Sequence, residues 1–173
     1  MTNAKDGLTV EAWLSQLYAP DDVPDDALNA PMLRWLRRYF DVEGPASADV
    51  VSDALLAYQL ALAEAAAGAA LHDLEHATSL RPRVVVEAHD GGGVRIRIDN
   101  GYTAPSMWAL DEPEAFAEVA GYFQEQLDQS GAGAWPTCAE HNVGLHAEVE
   151  GGTAVWRCRL GQHDVAPVGA LDA

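Results

Sequence analysis

The amino-acid sequence predicts an α+β fold: N-terminal helices, then a small antiparallel β-meander with a packed helix, then a C-terminal hairpin module. Three observations lead there. Apolar residues recur at helical spacing up to about residue 80 and then switch to strict alternation near Val84. A run of small residues, Ser130-Gly-Ala-Gly-Ala134, interrupts the chain. Both cysteines, Cys138 and Cys158, lie beyond that run. The expected organisation is an α+β body over 1–130, helical over 8–80 and a β-meander plus helix over 82–129. A flexible joint follows at 131–134, and the module occupies 135–170.

The elements follow in order. Thr9 is placed to cap a short helix whose apolar side is Val10, Trp13, Leu14 and Leu17, ending by Pro20. The segment Pro20-Asp-Asp-Val-Pro-Asp-Asp26 reads as an acidic loop; it lacks the glycine and distal glutamate of a calcium loop. A second helix is expected from about Pro31 to Phe40, with Met32, Leu36, Tyr39 and Phe40 on its apolar side and Arg34, Arg37 and Arg38 on a basic one. Gly44-Pro45 breaks the chain. Ser47 then caps a long Ala-rich helix reaching toward Ser79, where a bend or break is expected near Gly68 and a second helix is expected to approach closely. Val84, Val86 and Ala88, then Val94, Ile96 and Ile98, alternate about Gly91-Gly92-Gly93, a hairpin in which a three-residue loop would set Glu87 opposite Arg97. Asn100-Gly101 is a second turn. Tyr102 to Leu110 reads as a third strand, weakened by Pro105. Asp111 is expected to cap a helix beginning at Pro113, with Phe116, Val119, Ala120, Phe123 and Leu127 on its apolar side.

Charge narrows the function classes. The 173 residues hold 27 Asp and Glu against 10 Lys and Arg, a net −17, and 49% are hydrophobic, enough for a packed core. Such a surface repels phosphate backbones and anionic membranes, so no direct nucleic acid and no membrane are expected as partners. A basic protein partner, or solubility alone, fits better. Lys5 is the only lysine among the basic residues, a composition of high-GC or salt-adapted sources. No basic-then-apolar leader runs through Met1 to Leu8. The Ala-rich stretch from Ala54 to Leu71 is broken by Tyr58, Gln59 and Glu64, which argues against a span. With two cysteines, this points to a reducing cytoplasm.

The module carries the chemistry. Cys138-x2-His141 is followed, after a gap, by Cys158-x4-His163, with Glu150-Gly-Gly-Thr153 as a hairpin turn between strands at Leu145 to Val149 and Ala154 to Trp156. Zinc takes four soft or borderline ligands in a tetrahedron, and two short pairs on turns supply them. Two thiolates and two neutral imidazoles would form a neutral buried cluster with the ion. His146 is a possible substitute ligand. A Cys138–Cys158 disulfide, or two free thiols, are the other readings of these residues. Four good ligands suggest a closed, structural site.

The segments Trp135-Pro-x-Cys138-x-x-His141, Ala154-Val-Trp-x-Cys158 and His163-x-Val-Ala-x-Val-Gly169 resemble zinc ribbon tails, and are similar to the ends of uncharacterised actinobacterial proteins. The resemblance covers the module alone. It implies a zinc ribbon-like hairpin module and no activity. Ala139 and His141 stand where ribbon knuckles have proline and a second cysteine, and the second knuckle is longer.

A second motif, His72-Asp-Leu-Glu-His76, matches H-x-x-E-H, in which two histidines on one helix face bind zinc and a glutamate activates water. A polar helix end with Leu71 and Leu74 inward explains the same residues. No phosphate-binding glycine loop and no nucleophile elbow occurs. The expected function is a non-catalytic cytoplasmic zinc-binding protein acting as a protein–protein interaction or regulatory adaptor. One alternative is an acidic inhibitor or nucleic-acid mimic of a basic partner. Another is a small metallohydrolase using His72, Glu75 and His76.

Overall fold

The computed structural model describes residues 8–17, 30–90, 92–98, 102–104, 106–129, 131 and 133–171. The acidic loop at Pro20–Asp26, the Asn100-Gly101 turn, and Ser130 and Ala132 of the joint lie outside them. The fold is α+β, with four helices and two three-stranded antiparallel sheets among the described residues. The chain divides into two compact units, Met1–Ala57 and Tyr58–Ala173. The division falls within the long third helix, and the 135–170 segment belongs to the same unit as the meander.

The first unit contains α1 (Val10–Leu17), α2 (Ala30–Glu43) and the first turns of α3 (Ala48–Ala77). Thr9 caps α1 as expected, its Oγ1 accepting from the Ala12 amide at 3.3 Å. Trp13 organises the unit. Its indole donates to the Ala46 carbonyl at 2.9 Å, and its ring lies 6.1 Å from Tyr39 and 5.2 Å from Phe40. α2 continues past Phe40 to Glu43, because Gly44, at φ 87°, accepts the left-handed turn that ends the helix. Trp35 joins Leu36 on its buried side, while Arg34, Arg37 and Arg38 are exposed.

In the second unit α3 runs on unbroken through Gly68, so the expected break does not occur. A single glycine weakens a helix interior by only about 1 kcal/mol, and the surrounding alanines are strong helix formers. By length and composition α3 could cross a membrane. Here its Ala63, Ala66, Ala67, Ala70 and Leu74 are buried. A Cβ at Gly169 would lie 2.8 Å from Ala69 Cβ, so the close approach to this alanine face is made by the C-terminal segment.

β1 (Val84–Ala88), β2 (Val94–Ile98) and the short β3 (Tyr102–Thr103) form the meander in that order. Val94, Ile96 and Ile98 supply its fully buried residues. The register differs from expectation: Glu87 faces Arg95 and Val85 faces Arg97. Between the strands the His89 amide donates to Gly93 O at 3.1 Å and the Gly92 amide donates to His89 O at 2.8 Å. Gly92 and Gly93 take positive φ beneath the Trp108 ring, where a Cβ on Gly92 would lie 2.9 Å from it. Glu87 still meets Arg97, diagonally, at 3.2 Å. The third strand is shorter than expected; beyond it Met107 forms an isolated bridge to Val94. α4 (Glu112–Gln129) buries Val119, Ala120, Phe123 and Leu127 as expected, with Ala115 and Tyr122 besides, while the expected Phe116 is only half-buried. β4 (His146–Glu150), β5 (Thr153–Cys158) and β6 (His163–Pro167) complete the second sheet. The expected hairpin is there, turning on Gly151 and Gly152 at φ 57° and 82°. β6 is an addition that the alternation did not announce.

Candidate metal centre

Cys138 and His141 sit on a tight loop between Trp135 and β4. The Thr137–Gly144 bridge closes its base, and the Cys138 amide donates to Val143 O at 2.8 Å. Asn142, at φ 52°, lets the chain reverse directly after His141, and its amide reaches Cys138 O at 2.8 Å. Cys158 ends β5 and His163 begins β6, paired as cross-strand neighbours. Gln162, also at φ 52°, makes the matching reversal before His163. Each ligand pair therefore flanks a short reversal, and the sheet brings the two reversals together.

The four side chains converge. Their ligand atoms all lie within 4.8 Å of one another, a group close enough to hold a metal ion. His141 Nδ1 is 3.4 Å from Cys138 Sγ and 3.5 Å from Cys158 Sγ, and His163 Nε2 is 3.6 Å from Cys138 Sγ. Both cysteines are free and buried. A tetrahedron with metal–sulfur bonds of ~2.3 Å and metal–nitrogen bonds of ~2.0–2.1 Å has sulfur–nitrogen edges of about 3.6 Å. The observed separations fit that edge.

The surroundings supply polar partners to both sulfurs. The Gly161 amide donates to Cys158 Sγ at 3.4 Å. The Cys138 thiol is pulled from 9.0 down to about 6, chiefly by its hydrogen bond with His141. Gly161 is required by space: a Cβ there would lie 2.7 Å from His163 Nδ1 and would collide with the His141 ring. Gly161 was not among the residues expected to matter, although its place between Cys158 and His163 was a signal for it.

His146 is on exposed β4, opposite Arg157, and is not part of the four-residue group. Neither are His72, Glu75 and His76. The His72 and His76 rings lie 4.0 Å apart, as helical spacing requires, but His76 Nδ1 is engaged with the His72 carbonyl at 2.9 Å and Glu75 faces Arg81 at 3.7 Å.

The informative residue of that motif is Asp73. It is fully buried, and its carboxylate accepts from Trp156 Nε1 at 2.6 Å, the Gly169 amide at 2.7 Å and the Leu171 amide at 2.9 Å. It pins β5 and the C-terminal segment to α3. From α4, Gln124 Nε2 donates to Trp135 O at 3.0 Å and to Leu145 O at 2.7 Å, holding both ends of the first knuckle. Trp156 packs edge-on to Trp135 at 5.2 Å. Sequence reasoning passed over both Asp73 and Gln124. On the outer face of the sheet Glu148, Glu150 and Asp164 converge on Arg157, and Glu148 also pairs with Arg159.

No protein-family model, curated protein or solved structure matches this chain.

Proposed function

We propose that this is a non-catalytic, cytoplasmic zinc-binding protein, in which a closed Cys138–His141–Cys158–His163 site fixes a surface for docking a protein partner. One observation carries the reading: the sulfur–nitrogen separations of 3.4, 3.5 and 3.6 Å fit a tetrahedral zinc, with two sulfur and two nitrogen donors. Four protein ligands leave no open position for a reacting water, which supports a structural role over hydrolysis. Adaptor function is supported by Leu160, 67% exposed on the second knuckle between two ligands. An apolar side chain exposed on this turn is available to contact a partner. The buried Ala63, Ala66, Ala67, Ala70 and Leu74 support a core role for that side of α3.

Elemental analysis of freshly purified, reduced protein tests the reading. One zinc per chain is expected, lost in Cys138→Ser and retained in the His72→Ala, His76→Ala double variant. Reduced protein without metal overturns the zinc assignment. Zinc lost in the helix variant and retained in Cys138→Ser would move the site to α3. Leu160→Glu is expected to keep zinc and fold while abolishing partner capture from the native cell; unchanged capture would remove the knuckle from the docking surface.

A further inference from the structure

We infer that the pocket between the end of α3, the segment following it, β2 and α4 binds a small, neutral, mainly apolar molecule carrying one hydrogen-bond donor, such as an aromatic alcohol. The inference stands apart from the zinc reading, since none of the four metal ligands lines this pocket.

Its volume is about 360 Å³, within the roughly 300–1,000 Å³ of sites that hold small organic molecules. Leu74, Ile98 and Phe123 form its apolar interior and are almost fully buried, while the half-exposed Leu80 stands at its mouth. Apolar lining supplies affinity for a ligand body without choosing among bodies. Choice comes from the polar group in the wall. Gln126 lines the pocket, and its Oε1 is buried with no hydrogen-bond partner among the described residues. Buried acceptors are nearly always matched with a donor, so a ligand hydroxyl or N–H placed there completes an unmet bond. A ligand lacking the donor leaves the amide oxygen desolvated and unpaired.

Arg81 also lines the pocket, but its guanidinium is committed. Nη1 donates to Thr78 O at 3.1 Å and to Leu80 O at 2.7 Å, and Nε faces Glu75 at 3.7 Å. With its charge offset by Glu75 and two of its donor directions spent on carbonyls, it favours no anion strongly. A neutral ligand follows.

Equilibrium dialysis of the full zinc-loaded chain against 2-naphthol and against 2-methoxynaphthalene tests this. The two probes share a body and differ in the donor. Saturable one-to-one binding is expected, with 2-naphthol held about tenfold or more tighter. Gln126→Leu is expected to erase that preference, and Leu80→Trp to weaken both probes by narrowing the mouth. No saturable binding, or equal binding of the two probes by the natural chain, overturns the inference even if a variant fails to fold. A preference that survives Gln126→Leu removes Gln126 as its source, and binding indifferent to Leu80→Trp removes the pocket.

Discussion

Replacing Asp73 with alanine should destabilise the second unit severely while leaving every metal ligand in place. The carboxylate is fully buried and satisfies three donors: Trp156 Nε1 at 2.6 Å, Gly169 N at 2.7 Å and Leu171 N at 2.9 Å. A hydrogen bond to a charged group contributes about 1.5–3 kcal/mol, and a buried donor left unmet costs about 1–3 kcal/mol. The three bonds share one acceptor group and are not additive, so we expect a loss of about 3–6 kcal/mol, at the upper end for a single substitution. Asp73→Asn keeps the volume and one acceptor oxygen but turns an NH2 toward a donor, so it should fall between. Urea unfolding of zinc-saturated protein, followed by near-UV circular dichroism, reads the loss. A double-mutant cycle with Trp156→Phe should return a coupling of about 1.5–3 kcal/mol for the indole bond alone. An Asp73→Ala loss below about 1 kcal/mol, or a coupling indistinguishable from zero, would refute the claim that this carboxylate anchors the tail to α3.

Gly161→Ala should lower metal affinity by about tenfold or more, because its Cβ meets the rings of His141 and His163; competition with a chromophoric chelator measures it. His146→Ala should leave metal content and affinity unchanged whereas His163→Ala should not, since only His163 belongs to the convergent group; elemental analysis of the pair decides between them. Burial raises the Glu118 carboxyl above its ordinary 4.5, against an opposing hydrogen bond from Tyr122. A raised carboxyl contributes stability that is full below the unfolded-state value and is lost as pH rises through the folded-state value. Glu118→Gln should therefore flatten the stability profile above about pH 4.5 and be no less stable than the natural protein at pH 7, as read from urea midpoints. A steeper profile in the variant would contradict it.

The legible parts of this fold were those set by local chemistry. Thr9 capped its helix, the apolar spacing of Val119, Ala120, Phe123 and Leu127 marked the inner side of α4, and Gly151-Gly152 turned the β4–β5 hairpin. The cluster was legible for a related reason: thiol and imidazole pairs flanking short turns have the local spacing that a tetrahedral metal would need. The β1–β2 register was not, because pairing Ala88 with Val94 and pairing across a three-residue turn at the glycines suit the same alternation. Asp73 was hidden by its neighbours. His72, Glu75 and His76 offered a recognisable spacing, while the residue that the core uses was the one between them. Its clue was positional: the buried positions Ala66, Ala70 and Asp73 recur at helical spacing, so Asp73 was a charged residue on the buried side of α3. Its partners, two backbone amides and an indole from the far end of the chain, could not be read from any local window.

The metal centre and the Asp73 anchor meet on one strand. Residues two apart in a strand face the same way and stand about 6.6 Å apart, so Trp156, bonded to α3, and Cys158, of the Cys–His group, point to the same side of β5. The strands of this sheet have 5, 6 and 5 residues, too little apolar area to hold themselves. The sheet is instead fastened at Asp73 from α3, at Gln124 from α4, and at the Cys–His cluster between its own turns. The first two fastenings lie on rigid helices and work without a metal. The third is the one that ties the Cys138–His141 loop to the Cys158–His163 turn. A metal there has a specific consequence: it holds the exposed knuckle carrying Leu160 in register with a sheet already bolted to the helices.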